Sequence, residues 1–120
     1  MYNETTNEIE IIVHNDTYIG GWGFGLRTIT NMVEQYPDAN IRIIINNLGG
    51  DLSEALSIRS YLEEQAKKGK TVKAKFVGFS ASAATVMVMA IGVERTMDEY
   101  SYVLIHNASG YGYGEAKDLQ

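Results

Sequence analysis

Hydrophobic positions along the chain form short runs whose period alternates between that of a buried strand and that of a helix. Ile9 to Val13 is nearly continuous and β-branched, and Ile41 to Ile45 repeats that character. Such runs are typical of short strands in a parallel sheet. Val72 to Val77 alternates lysine with apolar residues, and Tyr102 to Ile105 is a fourth candidate strand. Between them lie helical spacings: Leu26, Ile29, Met32 and Val33 in one segment, Leu52, Ala55, Leu56, Ile58, Arg59 and Leu62 in the next. Pro37 and Asp38 mark the end of the first helix and Gly69 that of the second. A third helix is expected to start near Ser80 and run through Ala83, Ala84 and Val86 to Ala90; it is apolar on every side and therefore buried.

Strand and helix thus alternate. That order predicts an α/β domain of βαβ units with right-handed crossovers, its mainly parallel sheet covered by helices on its faces. No repeat, low-complexity stretch or interdomain linker interrupts it, and 120 residues of 45% hydrophobic content suit one domain, residues 1–120.

Composition narrows the function classes. A net charge of -5 argues against a broad phosphate-binding surface, so no nucleic-acid partner is expected. The one basic cluster, Lys67, Lys68, Lys70, Lys73 and Lys75, falls between a helix end and the next strand, where cations favour the helix dipole. The absence of cysteine excludes disulfides, thiolate metal sites and cysteine nucleophiles. The N-terminus lacks the basic start and apolar stretch of a signal peptide. The longest nearly apolar run, Ala81 to Val93, is shorter than the roughly 20 residues a membrane span needs. A soluble, cytoplasmic protein without a membrane partner is the expectation.

In open parallel sheets, ligands bind beyond the carboxyl ends of the strands. Three chemistry-bearing groups fall there: Asn46-Asn47-Leu48-Gly49-Gly50-Asp51, Gly78-Phe79-Ser80-Ala81-Ser82-Ala83, and His106-Asn107. A serine hydroxyl needs a base to take its proton, and the oxyanion it generates needs backbone N–H donors about 3 Å away. Ser82 before an apolar helix, His106 at the end of a neighbouring strand and the bare backbone of Gly49 and Gly50 can supply these parts. Each also has an ordinary structural reading. Ser80 and Ser82 suit helix N-caps, the glycine pair suits a tight turn, and a lone histidine suits a hydrogen-bonded surface or core position. Their convergence on one edge is what favours the catalytic reading.

At these residues the sequence resembles the proteolytic subunit family of Clp protease, and within it the phage and prophage type associated with head maturation. The resemblance runs from about Ile9 to Gln120. Ile45-Asn46-Asn47-Leu48-Gly49-Gly50-Asp51 matches the family's Ile-Asn-Ser-Pro-Gly-Gly turn, Gly78 to Ala84 its Gly-x-x-Ala-Ser-x-Gly/Ala nucleophile segment, and Ile105-His106-Asn107 its Ile-His-Asn/Gln-Pro segment.

The resemblance implies a ClpP/crotonase-like fold of repeated βαβ units and a serine endopeptidase that cleaves extended polypeptides through an acyl-enzyme, without a cofactor. Ser82 would be the nucleophile, His106 the base, and Gly49, Gly50 and Ala83 the backbone oxyanion donors. Phe79, Leu48 and Asn107 would contact a substrate bound as an added strand. Implied partners are further copies in a homo-oligomeric ring, phage head proteins, or a Clp ATPase acting as unfoldase. The Gly110 to Gly114 stretch stands where the family has a mobile segment.

The chain departs from the pattern where Asn47-Leu48 replaces Ser-Pro and Ala108 replaces a proline. It also stops at Leu119-Gln120, in what would be the opening turns of a long helix. The expectation is a C-terminally truncated domain whose triad acid lies beyond Gln120, because Asp98, Glu99 and Asp118 suit turn or helix-start positions. Losing that acid lowers turnover by about 10⁴ in a serine triad. Two alternatives remain: a non-catalytic assembly or scaffold domain, and a crotonase-like acyl-CoA enzyme. The glycines from Gly20 to Gly25 do not fit a dinucleotide fingerprint, and His14 is too isolated for a metal site. Trp22 in that loop is expected at an interface or beside the site.

Overall fold

A computed structural model describes residues 1–105. Seven strands and three helices follow in the order β1 (Tyr2–Asn3), β2 (Glu8–Val13), α1 (Leu26–Gln35), β3 (Asn40–Ile45), α2 (Leu52–Lys67), β4 (Val72–Phe76), β5 (Phe79–Ala81), α3 (Ala83–Val86), β6 (Val93–Met97) and β7 (Tyr102–Leu104). Five of the strands form one sheet in the order β1-β2-β3-β4-β6, parallel except for β1. A second sheet pairs β5 with β7 in parallel. The α/β class with a mainly parallel sheet is therefore as expected.

The β-branched runs form strands because they bury one side of the pleat. Ile9, Ile11 and Val13, Ile41, Ile43 and Ile45, and Val72, Ala74 and Phe76 alternate with partly or fully exposed neighbours. Their buried side meets Ile29 of α1, Ala55, Ile58 and Leu62 of α2, and Ala83 and Ala84 of α3 in one core. α2 contacts both α1 and α3, so the three helices share a face of the sheet.

This corrects the expectation of helices on both faces. Among the described residues the other face carries Glu8, Glu10, Arg42, Lys73, Lys75 and Glu94, all partly or fully exposed. Glu10 and Arg42 form an ion pair across it at 2.9 Å. Period-2 charge in β2 and β4, with Arg42 between them in β3, is incompatible with burial on both sides, because an unpaired buried charge is costly.

A second correction concerns the apolar stretch after Ser80. It does not form one helix to Ala90. Phe79–Ala81 is strand β5, and α3 spans only Ala83–Val86. An apolar run bounded by glycine has no period that separates buried strand from buried helix. Here the Asn47 carbonyl accepts the Ala81 N–H at 3.1 Å, and Phe79, Ser80 and Ala81 pair with Tyr102, Val103 and Leu104. Those partners fix the segment as strand. Strands β1 and β6 were not expected either. β6 (Val-Glu-Arg-Thr-Met) buries only Val93, so its sequence carries little strand signal.

α2 begins at the N-cap Asp51, whose carboxylate accepts the Ser53 N–H at 3.1 Å, and carries Glu54 in its first turn and Lys67 in its last. Both charges complement the helix dipole. Gly69 follows with φ 99°, its N–H bonded to the Ala66 carbonyl, as a helix-stop glycine should. No helix among the described residues is long and apolar enough to cross a membrane.

Candidate active site at the carboxyl ends of β3 and β5

β3 ends at Ile45, and the chain turns through Asn46, Asn47, Leu48, Gly49 and Gly50 into α2. Beside this turn, β4 passes through Val77 and Gly78 into β5, which runs along Asn47 and ends at Ala81, one residue before Ser82. Side chains lock the two segments together. Asn46 Oδ1 accepts the Phe79 N–H at 3.2 Å. Ser80, fully buried, accepts the Asn47 N–H at 3.2 Å and donates to the Ile45 carbonyl at 3.4 Å. Ser80 is thus an internal strut between β3 and β5, not the helix cap that its position suggested.

Ser82 occupies the N-cap position of α3, yet its side chain makes no capping bond. Its carbonyl instead accepts from the Thr85 N–H at 2.9 Å and the Thr85 hydroxyl at 2.7 Å. The backbone of Ser82 lies at φ 59°, ψ -131°, a conformation that residues with a Cβ rarely adopt. A sharp strand-to-helix turn of this kind lifts a hydroxyl out of the backbone hydrogen-bonding pattern. Among the described residues, Ser82 Oγ has no hydrogen-bond partner, and Ser82 is half-buried.

The glycine turn stands against this elbow. A Cβ at Gly49, φ 108°, would lie 3.0 Å from the Ala81 carbonyl, the Ala83 nitrogen and the Ser82 Cβ. One at Gly50 would lie 2.3 Å from the Ile19 carbonyl. Glycine is needed at both positions because backbones approach too closely for any side chain. Ile19 also braces the turn directly, donating to the Gly49 carbonyl at 3.4 Å and accepting the Asp51 N–H at 2.7 Å. The loop that carries Ile19 is tied by Gly20 N–H to the Phe24 carbonyl and by Phe24 N–H to the Tyr18 carbonyl, with Trp22 fully exposed at its tip.

Gly49, Gly50 and Ala83, named from sequence as backbone donors, stand together but are not equivalent. The Gly49 N–H donates to Asn47 Oδ1 at 2.7 Å. Among the described residues, the N–H groups of Gly50 and Ala83 have no acceptor. Leu48 and Phe79 are exposed, and the Phe79 ring lies 6.2 Å from that of Tyr102. His106 and Asn107, with the Gly110 to Gly114 stretch and Asp118, lie outside the described residues. His14 is exposed, and among the described residues no group of three or more His, Asp or Glu side chains could hold a metal ion.

The residue that sequence reasoning passed over is Asn47. It is 1% exposed, and both its side chain and its backbone are bonded to the segments that build the site. An asparagine two residues before a glycine is a turn signal, which was the one available hint.

Comparison with known proteins adds one finding. The family model described as Clp protease matches residues 26–120, from the start of α1 onward, leaving β1, β2 and the Trp22 loop outside the match. No significant match was found among curated proteins or solved structures. The matched region takes in both glycine turn and serine elbow and most of the chain; the protein belongs to the Clp protease family of peptidases.

Proposed function

We propose that the protein is a serine endopeptidase in which Ser82 is the nucleophile and His106 the general base. The observation that carries this reading is the Ser82 elbow, a strained non-glycine residue set against a glycine turn, its hydroxyl without a partner among the described residues. Holding Ser82 at positive φ costs about 1–3 kcal/mol, and such strain persists where the surrounding structure imposes it for a purpose. The pairing of β5 with β7 supports the choice of base. Its register ends with Ala81 beside Leu104, residues that precede Ser82 by one position and His106 by two in the sequence.

In this reading Ser82 Oγ attacks the scissile carbonyl carbon as its proton passes to His106, and the carbonyl oxygen becomes an oxyanion held by N–H groups of the Gly49-Gly50 turn and Ala83. Collapse breaks the C–N bond, the amine leaves with the proton from His106, and water then hydrolyses the Ser82 ester with His106 again taking the proton. The N-terminus of α2, which starts at Leu52 after the N-cap Asp51, favours the negative charge. Substrate would lie extended between Leu48 and Phe79, with Asn107 beside the scissile bond. The finer attributes go with this proposal: a ClpP/crotonase-like arrangement of repeated βαβ units, assembly into a homo-oligomeric ring, and service in phage head maturation or with an unfoldase ATPase.

A fluorophosphonate probe tests the assignment. Labelling of the parent chain that disappears in Ser82→Ala is the expected result, and labelling that survives the substitution overturns it.

A further inference from the structure

Resting on Ser82 as nucleophile, we infer that Asn47 is the positioning residue of the oxyanion pocket, holding the turn so that Gly50 and Ala83, and not Gly49, present the N–H donors. Asn47 does three things at once. Its Oδ1 accepts the Gly49 N–H at 2.7 Å, closing a side-chain-mediated turn over Leu48. Its Nδ2 donates to the His14 carbonyl at 2.7 Å and to the Thr17 carbonyl, anchoring the turn to the loop after β2. Its backbone joins β5: the N–H donates to Ser80 Oγ and the carbonyl accepts the Ala81 N–H, one residue before the nucleophile.

Every polar group of this buried residue is therefore engaged, and all the bonds converge on segments that set the relation of glycine turn to elbow. Leu48 is exposed and has a free φ, so nothing in its own chemistry stiffens the turn. The ring closed by Asn47 Oδ1 supplies that stiffness instead, as a proline at position 48 would. With its N–H committed to Asn47, Gly49 has no donor for a ligand oxygen. What Gly49 contributes is space: its bare Cα lets the turn close against the Ala83 nitrogen, which a Cβ would approach to 3.0 Å. Gly50 N–H and Ala83 N–H, both without an acceptor among the described residues, are the two donors left on the turn and the elbow.

The test combines kinetics with amide exchange on the full chain. Loss of one preorganised oxyanion donor lowers kcat by about 10²–10³-fold, so Asn47→Ala should reduce kcat and the rate of Ser82 labelling by about 10²-fold while KM stays within about threefold. Exchange resolved at single amides by NMR should find Gly49 protected in the parent and released in Asn47→Ala, with Gly50 unprotected in both. A second variant, Asn47→Ser with Leu48→Pro, fixes the turn covalently and should recover labelling to within about tenfold of the parent. A folded Asn47→Ala chain that labels at the parental rate overturns the inference. So does a parental Gly49 amide that exchanges as fast as Gly50, a result that stands even if Asn47→Ala fails to fold. Parental labelling with unaffected variants sinks this inference alone, whereas a parent with no Ser82-dependent labelling sinks the catalytic reading with it.

Discussion

Asn7 and Ser82 are the two non-glycine residues of positive φ among the described residues, at 54° and 59°, and they stand at opposite ends of the strands. Asn7 precedes β2, is exposed, and turns the chain with the help of Asp38, whose carbonyl accepts from its Nδ2 at 3.2 Å. Asparagine tolerates that conformation, so the turn is ordinary. Ser82 has neither the residue type nor the exposure to explain its backbone, and its hydroxyl bonds to nothing described. The amino ends of the strands are held by residues suited to their turns, whereas the carboxyl ends hold a residue against its preference. That asymmetry sets a structural edge apart from the proposed catalytic one.

The largest effect expected from testing this contrast is at Ser82. Ser82→Gly should lower turnover and probe labelling by more than about 10³-fold, since it removes the proposed nucleophile. It should also raise stability by about 1 kcal/mol, the strain relieved less the entropy glycine loses on folding. Asn7→Gly should leave turnover unchanged and move stability by only a few tenths of a kcal/mol, on the order of surface substitutions generally. Denaturant unfolding beside labelling reads both. A Ser82→Gly chain less stable than the parent would mean that the elbow is not strained.

Two glycines sharpen the comparison. Gly49 and Gly69 have nearly equal φ, 108° and 99°, so alanine pays a similar conformational penalty at each. Their surroundings differ: a Cβ at Gly69 meets nothing within 4 Å, while one at Gly49 meets three atoms of the elbow at 3.0 Å. Gly69→Ala should destabilise by about 1 kcal/mol with full turnover. Gly49→Ala should add a loss of turnover of about 10²-fold, because small misplacements of a catalytic constellation have that effect. Equal turnover in the two variants would remove Gly49 from the site.

How much of this was legible beforehand follows from the range of the forces involved. The strands at Ile9, Ile41 and Val72 and the helices at Leu26 and Leu52 were readable because burial imposes a local period. The sheet face left uncovered among the described residues was foreshadowed by Glu10, Arg42 and Lys73, but the isoleucines around them suggested burial on both sides. The break at Ser82 within the apolar stretch was hidden, since strand β5 exists through bonds to Asn47 and β7 rather than through its own residues. Ser82, Gly49 and Gly50 were visible as a motif. The work of Asn47 was not, because its partners His14 and Thr17 lie 33 and 30 residues away in sequence.

Asn40 is the counterpart that isolates burial from residue type. At the amino end of β3 its Oδ1 accepts the Thr71 N–H at 2.9 Å in an exposed setting. Water replaces that bond when the side chain is removed, so Asn40→Ala should cost about 0.5–1 kcal/mol. Asn47→Ala strands the carbonyls of His14 and Thr17 and the Gly49 N–H, and should cost about 2–3 kcal/mol. Comparable losses would show that the carboxyl-end turn is as solvated as the other.

The smallest effect lies at the amino end of β4. Burial first, then the neighbouring Lys68, lowers the Lys70 ammonium below its usual 10.5, with Asp38 opposing. A lysine whose pKa is lower folded than unfolded binds fewer protons in the native state, so stability rises with pH through the folded value toward 10.5. Below that window the charged form carries a penalty that Lys70→Gln removes. The variant should therefore be slightly more stable than the parent at neutral pH, with the difference shrinking as pH approaches 10.5, and denaturant midpoints across that range measure it. Turnover at neutral pH should be unchanged, because Lys70 lies at the end of the strands away from Ser82. A change in turnover equal to the change in stability would mean that the two ends are energetically one unit, and that the division between structural and catalytic edges fails.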